Sequence, residues 1–333
     1  MRFGALAAWG VLALGVVVAL SVGRYGLGAG DLIQAVSDWL TRPDDVPPGT
    51  AEIVLLQIRG PRIVAALAVG AGLAVAGATF QGLFRNPLVS PDILGASAGA
   101  ALGAVLGIFF SLGVFGIQAA AFAGGLLAVG VVYAVGSSLR QGDPVLVLIL
   151  AGVVIGSLLG AGIGLVKYLA DPYNQLPAIT FWLLGSLAGT TAGDLAALLW
   201  PVLAGGALLM LLRHRIDVMS LPEEEARALG APTTALRIAL VVAATLVTAA
   251  GVALAGVVGW VGLVVPHIAR FLVGPSFSRL LPASAVLGGG FLLLIDTLAR
   301  TMAPVEIPLG LLTAVIGTPF FIWLLRHAHR SWT

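Results

Sequence analysis

No cysteine occurs anywhere in the 333 residues. That excludes disulfides, thiolate metal sites and cysteine nucleophiles in one step. Charge is scarce as well: charged residues make up 10% of positions, against roughly 25% in an ordinary soluble domain. So little polar surface cannot coat a water-facing globule, and lipid must be the solvent. Lysine is nearly missing too. The single Lys167 sits in Gly-Leu-Val-Lys-Tyr, without the phosphate-cradling glycines of a Walker A loop. The chain therefore has no means of hydrolysing ATP by itself.

What is present is apolar. Hydrophobic residues fill 59% of positions, mean hydropathy is +1.07, and there are 45 glycines, a residue commoner in transmembrane helices than in soluble ones. Apolar runs predict ten spans of roughly 20 residues each: 3–22, 62–83, 92–111, 114–136, 145–168, 194–212, 238–257, 259–273, 283–301 and 307–325. The first run reads as a helix rather than a signal peptide, because it is long and lacks a small-residue cleavage site. Span 259–273 is short and carries Pro266, which only a packed bundle tolerates.

The expected fold is an all-α polytopic membrane protein, one domain over residues 1–333. Its ten transmembrane helices form a single bundle with inverted five-helix halves. Gly72-Leu-Ala-Val-Ala-Gly77 echoes Gly251-Val-Ala-Leu-Ala-Gly256, though such strings also recur by chance.

Basic residues orient the bundle. With both termini cytoplasmic, eleven arginines lie inside (2, 85, 140, 213, 215, 227, 237, 270, 279, 326 and 330). Arg24, Arg42, Arg59, Arg62, Lys167 and Arg300 lie outside, the Arg59/Arg62 pair being an exception to the rule. Residues 24–61, with Asp31, Asp38, Asp44, Asp45, Glu52, Pro43, Pro47 and Pro48, read as an external loop with a surface helix near Leu32–Leu40. Residues 213–237 read as a cytoplasmic segment.

Within that segment, Ser220-Leu-Pro-Glu-Glu-Glu-Ala-Arg-Ala-Leu-Gly230 predicts a short capped helix. Ser220 and Glu223 have capping-box spacing, Pro222 suits a first turn, and Glu223, Glu224 and Glu225 oppose the positive end of the helix dipole. Glu223 and Arg227 are four apart, Leu221, Ala226 and Leu229 are its apolar residues, and Gly230 ends it. The bland reading is a decorative loop helix; the functional one is a rigid element for a partner to push on.

The run Arg59-Gly-Pro-Arg62, Gln81-Gly-Leu-Phe-Arg-Asn-Pro-Leu88 and Pro91-Asp-Ile-Leu-Gly-Ala-Ser-Ala-Gly99 resembles the FecCD/BtuC-type permeases. So do Phe181-Trp-Leu-Leu-Gly-Ser-Leu187, Gly262-Leu-Val-Val-Pro-His-Ile-Ala-Arg270 and Gly317-Thr-Pro-Phe-Phe-Ile-Trp323. These permeases are membrane subunits of ATP-binding-cassette importers for ferric siderophores, haem and vitamin B12. The resemblance implies a homodimer in the bacterial inner membrane, docked on two cytoplasmic ATPase subunits and fed by a periplasmic binding protein. It makes 221–230 the coupling helix. ATP and magnesium would sit on the partner ATPase, with no cofactor on this chain and no nucleic-acid partner.

Polar residues near the spans are weighed one by one, since intramembrane ionisable groups are functional candidates. Asp296 and Arg300, four apart, are expected to pair with each other, as are Lys167 and Asp171. His267 has no second ligand at metal or haem spacing, so packing or gating is expected; His214, His327 and His329 fall on the cytoplasmic side. Phe181, Trp182 and Ser186 follow a proline-broken stretch from Asp171 and read either as an interfacial anchor or as an outer gate. Gly95, Ser97, Gly99 and Gly103 form a small-residue face that packs or lines the path, and Gln81 and Asn86 are further path candidates. Iron chelates lead as cargo, with cobalamin and molybdate open. An ion-coupled secondary transporter and a non-transporting scaffold are the readings from other classes.

Overall fold

The structure is a computed structural model and describes residues 2–23, 25–41, 47–138 and 144–328. Arg24, residues 42–45, Arg140, His329 and Arg330 lie outside the described residues. Every regular element among the described residues is helical. In chain order they are α1 (Arg2–Ser21), α2 (Ala29–Thr41) and α3 (Thr50–Glu52), a π-helical stretch (Ile53–Arg59) leading into α4 (Gly60–Leu83), and a 3₁₀ turn (Pro91–Leu94) before α5 (Ala96–Phe109). Then follow α6 (Val114–Ser138), α7 (Pro144–Leu169), α8 (Gln175–Leu184), α9 (Ala192–Met219), α10 (Glu223–Ala228), α11 (Thr233–Ala255), α12 (Val261–Val273), α13 (Phe277–Thr301) and α14 (Leu309–Ala328).

Each of the ten expected spans coincides with a helix, and α2 is the expected surface helix. Six helical stretches are long and apolar enough to cross a membrane. Two boundaries differ from expectation. Residues 50–59 are helical and run into α4, because the apolar series Ile53–Leu56 continues its buried face rather than looping through water. At the other end, α9 and α11 consume both flanks of 213–237 and leave a connection of only 220–232.

Helix α4 is buried over most of its length and packs against α9, α11, α12 and α13. A helix apolar all round belongs inside a bundle. Lipid tails are as apolar as leucine, so hydrophobicity alone does not pull helices together there; close packing and polar contacts must do it. Glycine permits that closeness. A Cβ on Gly77 would stand 1.9 Å from the Gly262 carbonyl oxygen of α12, and one on Gly99 would stand 2.4 Å from the Gly124 carbonyl oxygen of α6.

The two echoing Gly/Ala strings lie on α4 and α11, which cross at the centre: Gly72 faces Val247, and Gly251 faces Val69 and Leu73. Helices α5 and α12, of 14 and 13 residues, hold the third place in each five-helix half. At 1.5 Å per residue they extend only ~20 Å, short of the ~30 Å hydrocarbon core. Each starts after a left-handed break, at Gly95 (φ +77°) before α5, and at Gly256 (φ +70°) and Trp260 (φ +71°) before α12.

Candidate coupling and gating sites

The bundle has two polar ends, named here by the short helices they carry. At the α10 end, the short helix begins at Glu223 with Pro222 before it, not with a capping box. The Ser220 hydroxyl instead donates to the Asp217 carbonyl (2.7 Å), because Ser220 terminates α9 and is held in its helical conformation there. The expected pair forms: Arg227 Nη2 lies 2.5 Å from Glu223 Oε1. A second, less exposed partner completes it, Arg237 of α11 at 2.9 Å from Glu223 Oε2. The hydrogen bond from Arg237, with both arginine charges, holds the Glu223 carboxyl below its ordinary range against the cost of partial burial.

Ala226 is the buried foot of α10, and Gly230 (φ +78°) turns the chain away toward α11. Leu221 is half-buried, whereas Pro222, Glu224, Glu225 and Leu229 are exposed. A shallow cleft joins this helix to the end of α4, with Leu83 and Arg85 facing Leu221, Glu223 and Arg237.

Beside it, three of the expected gate residues converge. His267 of α12 is buried and its Nε2 stands 2.9 Å from the Pro87 carbonyl, which accepts and so requires the Nε2–H tautomer. Gln81 of α4 is buried too; its amide reaches the Gly262 and Leu263 carbonyls at 3.4 Å, and its Oε1 accepts from Arg270 at 3.3 Å. The Asn86 Oδ1 accepts from the Leu88 amide (2.9 Å), which folds the 84–90 loop as an Asx turn. Together these contacts join α12, α4 and the loop between α4 and α5 next to α10. Ser97 bonds Asp92 across the start of α5. Gly99 packs tightly on α6, as a small-residue packing face would.

The α8 end is built differently. Asp296 of α13 does pair with Arg300 (3.5 Å), but its closer partner is Arg62 of α4, at 2.9 and 3.1 Å. Arg62 also grips both oxygens of Glu306 at 3.0 Å. Arg300 donates to the Ala19 carbonyl (2.9 Å), and Arg59 donates to the carbonyls of Leu20 and Tyr25 and, at 3.2 Å, of Ser21. These arginines therefore close the C-terminal carbonyls of α1, where a cation opposes the dipole. Arg59 and Arg62, the pair at odds with the expected orientation, are buried structural groups, each under 7% exposed, and not loop charges.

The Lys167–Asp171 pair is not among the described ion pairs. Asp171 instead accepts from Asn174 (2.7 Å to its side chain) and from the Tyr173 amide, bonds that hold its carboxyl below the ordinary range, because the chain turns into α8 at once. Pro177 does not break α8 either; it occupies the first turn, where its missing N–H costs nothing. Phe181 is exposed, whereas Trp182 packs with the apolar cluster of α5, α6 and α11. The Ser186 amide donates to Ala255 and the Leu309 amide to Gly185, so α8, α11 and α14 meet there.

Several of these partners had no local signal. Arg237 lies 14 residues from Glu223, and Arg62 lies 234 and 244 residues from Asp296 and Glu306, too far for helix spacing. Thr191-x-x-Asp194 is the capping box the chain does contain, at the start of α9, and its spacing was readable.

An all-helical bundle with a shortened helix at the same place in each half, and a braced short helix outside one end, is the form of a transporter membrane subunit. The chain matches the FecCD transport family over residues 11–327 and belongs to it. It is 37% identical to the molybdate import system permease protein MolB of Haemophilus influenzae over 93% of this chain and 91% of that one. It is 43% identical to the cobalamin import system permease protein BtuC of Halobacterium salinarum, over 84% and 75%. The hemin transport system permease protein HmuU of Yersinia pestis is 37% identical over 93% and 92%. A solved inward-facing conformation of a metal-chelate type ABC transporter shares 36% identity and a TM-score of 0.86 over 96% of this chain and 98% of that one. The protein is an ABC importer permease of the FecCD family and a multi-pass membrane protein.

Proposed function

We propose that this permease carries an iron chelate, a siderophore or haem complex, from periplasm to cytoplasm by alternating access. Two copies form the pathway, two separate ATPase subunits dock at the α10 end, and a periplasmic binding protein delivers cargo at the α8 end. The α10 end and both termini are cytoplasmic. The carrying observation is the bracing of α10: Glu223 ties it to Arg227 and to Arg237, while Glu224, Glu225 and Leu229 remain exposed. A short helix fixed to α11 and seated on the end of α4 transmits a push instead of flexing. It adjoins the Gln81–Arg270 and His267–Pro87 contacts, so a displacement there reaches α12 and these gate candidates.

An iron chelate is supported by the hemin permease and the metal-chelate transporter among the similar proteins. Molybdate is the second reading, on the strength of a relative aligned over almost the full length of both chains. The deciding experiment reconstitutes this chain in proteoliposomes with its ATPase and binding protein. Uptake of ferric siderophore, haem, cobalamin and molybdate is then measured side by side. Saturable ATP-dependent uptake of an iron chelate is expected. Uptake of molybdate or cobalamin alone would replace the cargo assignment. Uptake that survives removal of the ATPase but collapses with a proton ionophore would overturn the mechanism.

A further inference from the structure

Helices α6 and α9 both pack on α11, and the approach is tightest at two glycines. A Cβ on Gly125 of α6 would lie 3.0 Å from the Ala249 side chain, and one on Gly205 of α9 would lie 2.6 Å from Val247. Toward the α8 end from these contacts the two helices part around α11. They leave a cavity of about 290 Å³ that opens on the outside of the bundle.

Its walls are apolar: Phe122, Leu198, Pro201, Ala250 and Leu254. At its rim, in the first turns of α6 and α9, stands a single polar pair, with the Gln118 amide donating to Asp194 Oδ1 at 2.9 Å. The other Asp194 oxygen accepts from the backbone and hydroxyl of Thr191, at 2.8 and 2.7 Å. All three donors are neutral, and no cation is among the described partners of this carboxylate. Among the described residues, Asp194 is the only charged group lining the cavity.

The position identifies the occupant. Asp194 and Gln118 lie near the start of the two spans. Helix α9, at 28 residues and ~42 Å, is longer than the ~30 Å hydrocarbon core, so its first turn belongs with the headgroups. The apolar walls run inward from there for about two turns, ~10 Å. The cavity is some twenty times larger than the ~10–15 Å³ a water needs and offers water few partners away from the rim. Hydrocarbon from the adjacent bilayer fills such a space without desolvation cost. A carboxylate without a cation at headgroup level selects an ammonium headgroup over an anionic one.

We propose that this cavity is a binding site for one phospholipid with an ammonium headgroup, such as phosphatidylethanolamine, its acyl chain between α6 and α9 and its amine on Asp194.

Native mass spectrometry of the full chain, extracted from vesicles of equimolar phosphatidylethanolamine and phosphatidylglycerol, tests this. The wild type should retain phosphatidylethanolamine over phosphatidylglycerol by about tenfold, the scale of one hydrogen bond to a charged group. Asp194→Asn, which can still cap α9, should bring that ratio near one. Ala197→Phe, a substitution at an exposed residue that lines the cavity, should cut retention of both lipids by about tenfold. Ala119→Phe should do the same from the α6 wall if the first variant folds poorly. Equal retention of both lipids by the wild type, or undiminished retention in the filled variants, would overturn the proposal. So would a wild type that retains neither lipid while Ala197→Phe weakens self-association, which would give the cavity to a second copy.

Discussion

The two ends of this bundle use charge in opposite ways. At the α8 end, Arg62, Asp296, Arg300 and Arg59 turn inward, are almost completely covered, and are spent on one another and on the carbonyls of α1. At the α10 end, Glu223 is only partly covered and holds a helix whose remaining carboxylates face outward. The first arrangement fixes a position. The second holds a small element firmly while leaving its far side open to a partner. A charged residue in a membrane protein is thus read by what it can reach, and not by the loop it falls in.

Breaking the buried end should cost most. Asp296→Ala leaves Arg62 and Arg300 facing each other without their shared carboxylate, a loss of about 3–5 kcal/mol. It should appear as a large fall in thermal stability by size-exclusion in detergent, with poor membrane yield. Next comes the close helix crossing that both ends depend on. Gly77→Ala pushes a methyl into the Gly262 carbonyl at 1.9 Å, and overpacking of this kind costs about 1–3 kcal/mol. The same assay should rank it below Asp296→Ala.

At the α10 end the stability effect should be small and the functional one large. Glu223→Gln should cost about 1 kcal/mol or less, yet uncouple ATP hydrolysis from uptake by at least about tenfold. Unchanged uptake with normal ATPase assembly would remove α10 from the coupling path. Its pH dependence has a definite sign. The Glu223 carboxyl is depressed in the folded chain, so its bracing is complete above the unfolded glutamate value of about 4.3 and is lost as pH falls from there through the lower folded value. The protection factor of the amides at 226–230, with intrinsic exchange at each pH divided out, should be high at neutral pH and fall below about pH 4. Smallest of all is Ser220→Ala. The hydroxyl bonds only the Asp217 carbonyl, so stability should change within about 0.5 kcal/mol, whereas a true N-cap would cost about 1 kcal/mol.

The spans, the surface helix and the short helix before Gly230 were readable because each depends on neighbours in sequence: apolar length, i,i+4 pairing and a left-handed glycine. The partners were not. Asp296 and Arg300 have the spacing of a self-sufficient pair, and nothing near them reveals that Arg62 arrives from another helix at closer range. Ser220 and Glu223 satisfy a capping pattern, but α9 runs on to Met219 and claims the serine first. Nothing near His267 in the sequence reveals its bond to Pro87, which depends on a loop 180 residues earlier. Local rules locate elements; the pairing of buried polar groups is decided by which helices meet.

The bond from Arg300 to the Ala19 carbonyl spans 281 residues. Arg59, which leads into α4, closes the neighbouring Leu20 and Ser21 carbonyls from nearby, but the Ala19 carbonyl waits for α13. The end of α1 therefore reports on whether α13 has docked: loosening there follows from damage to a helix far along the chain.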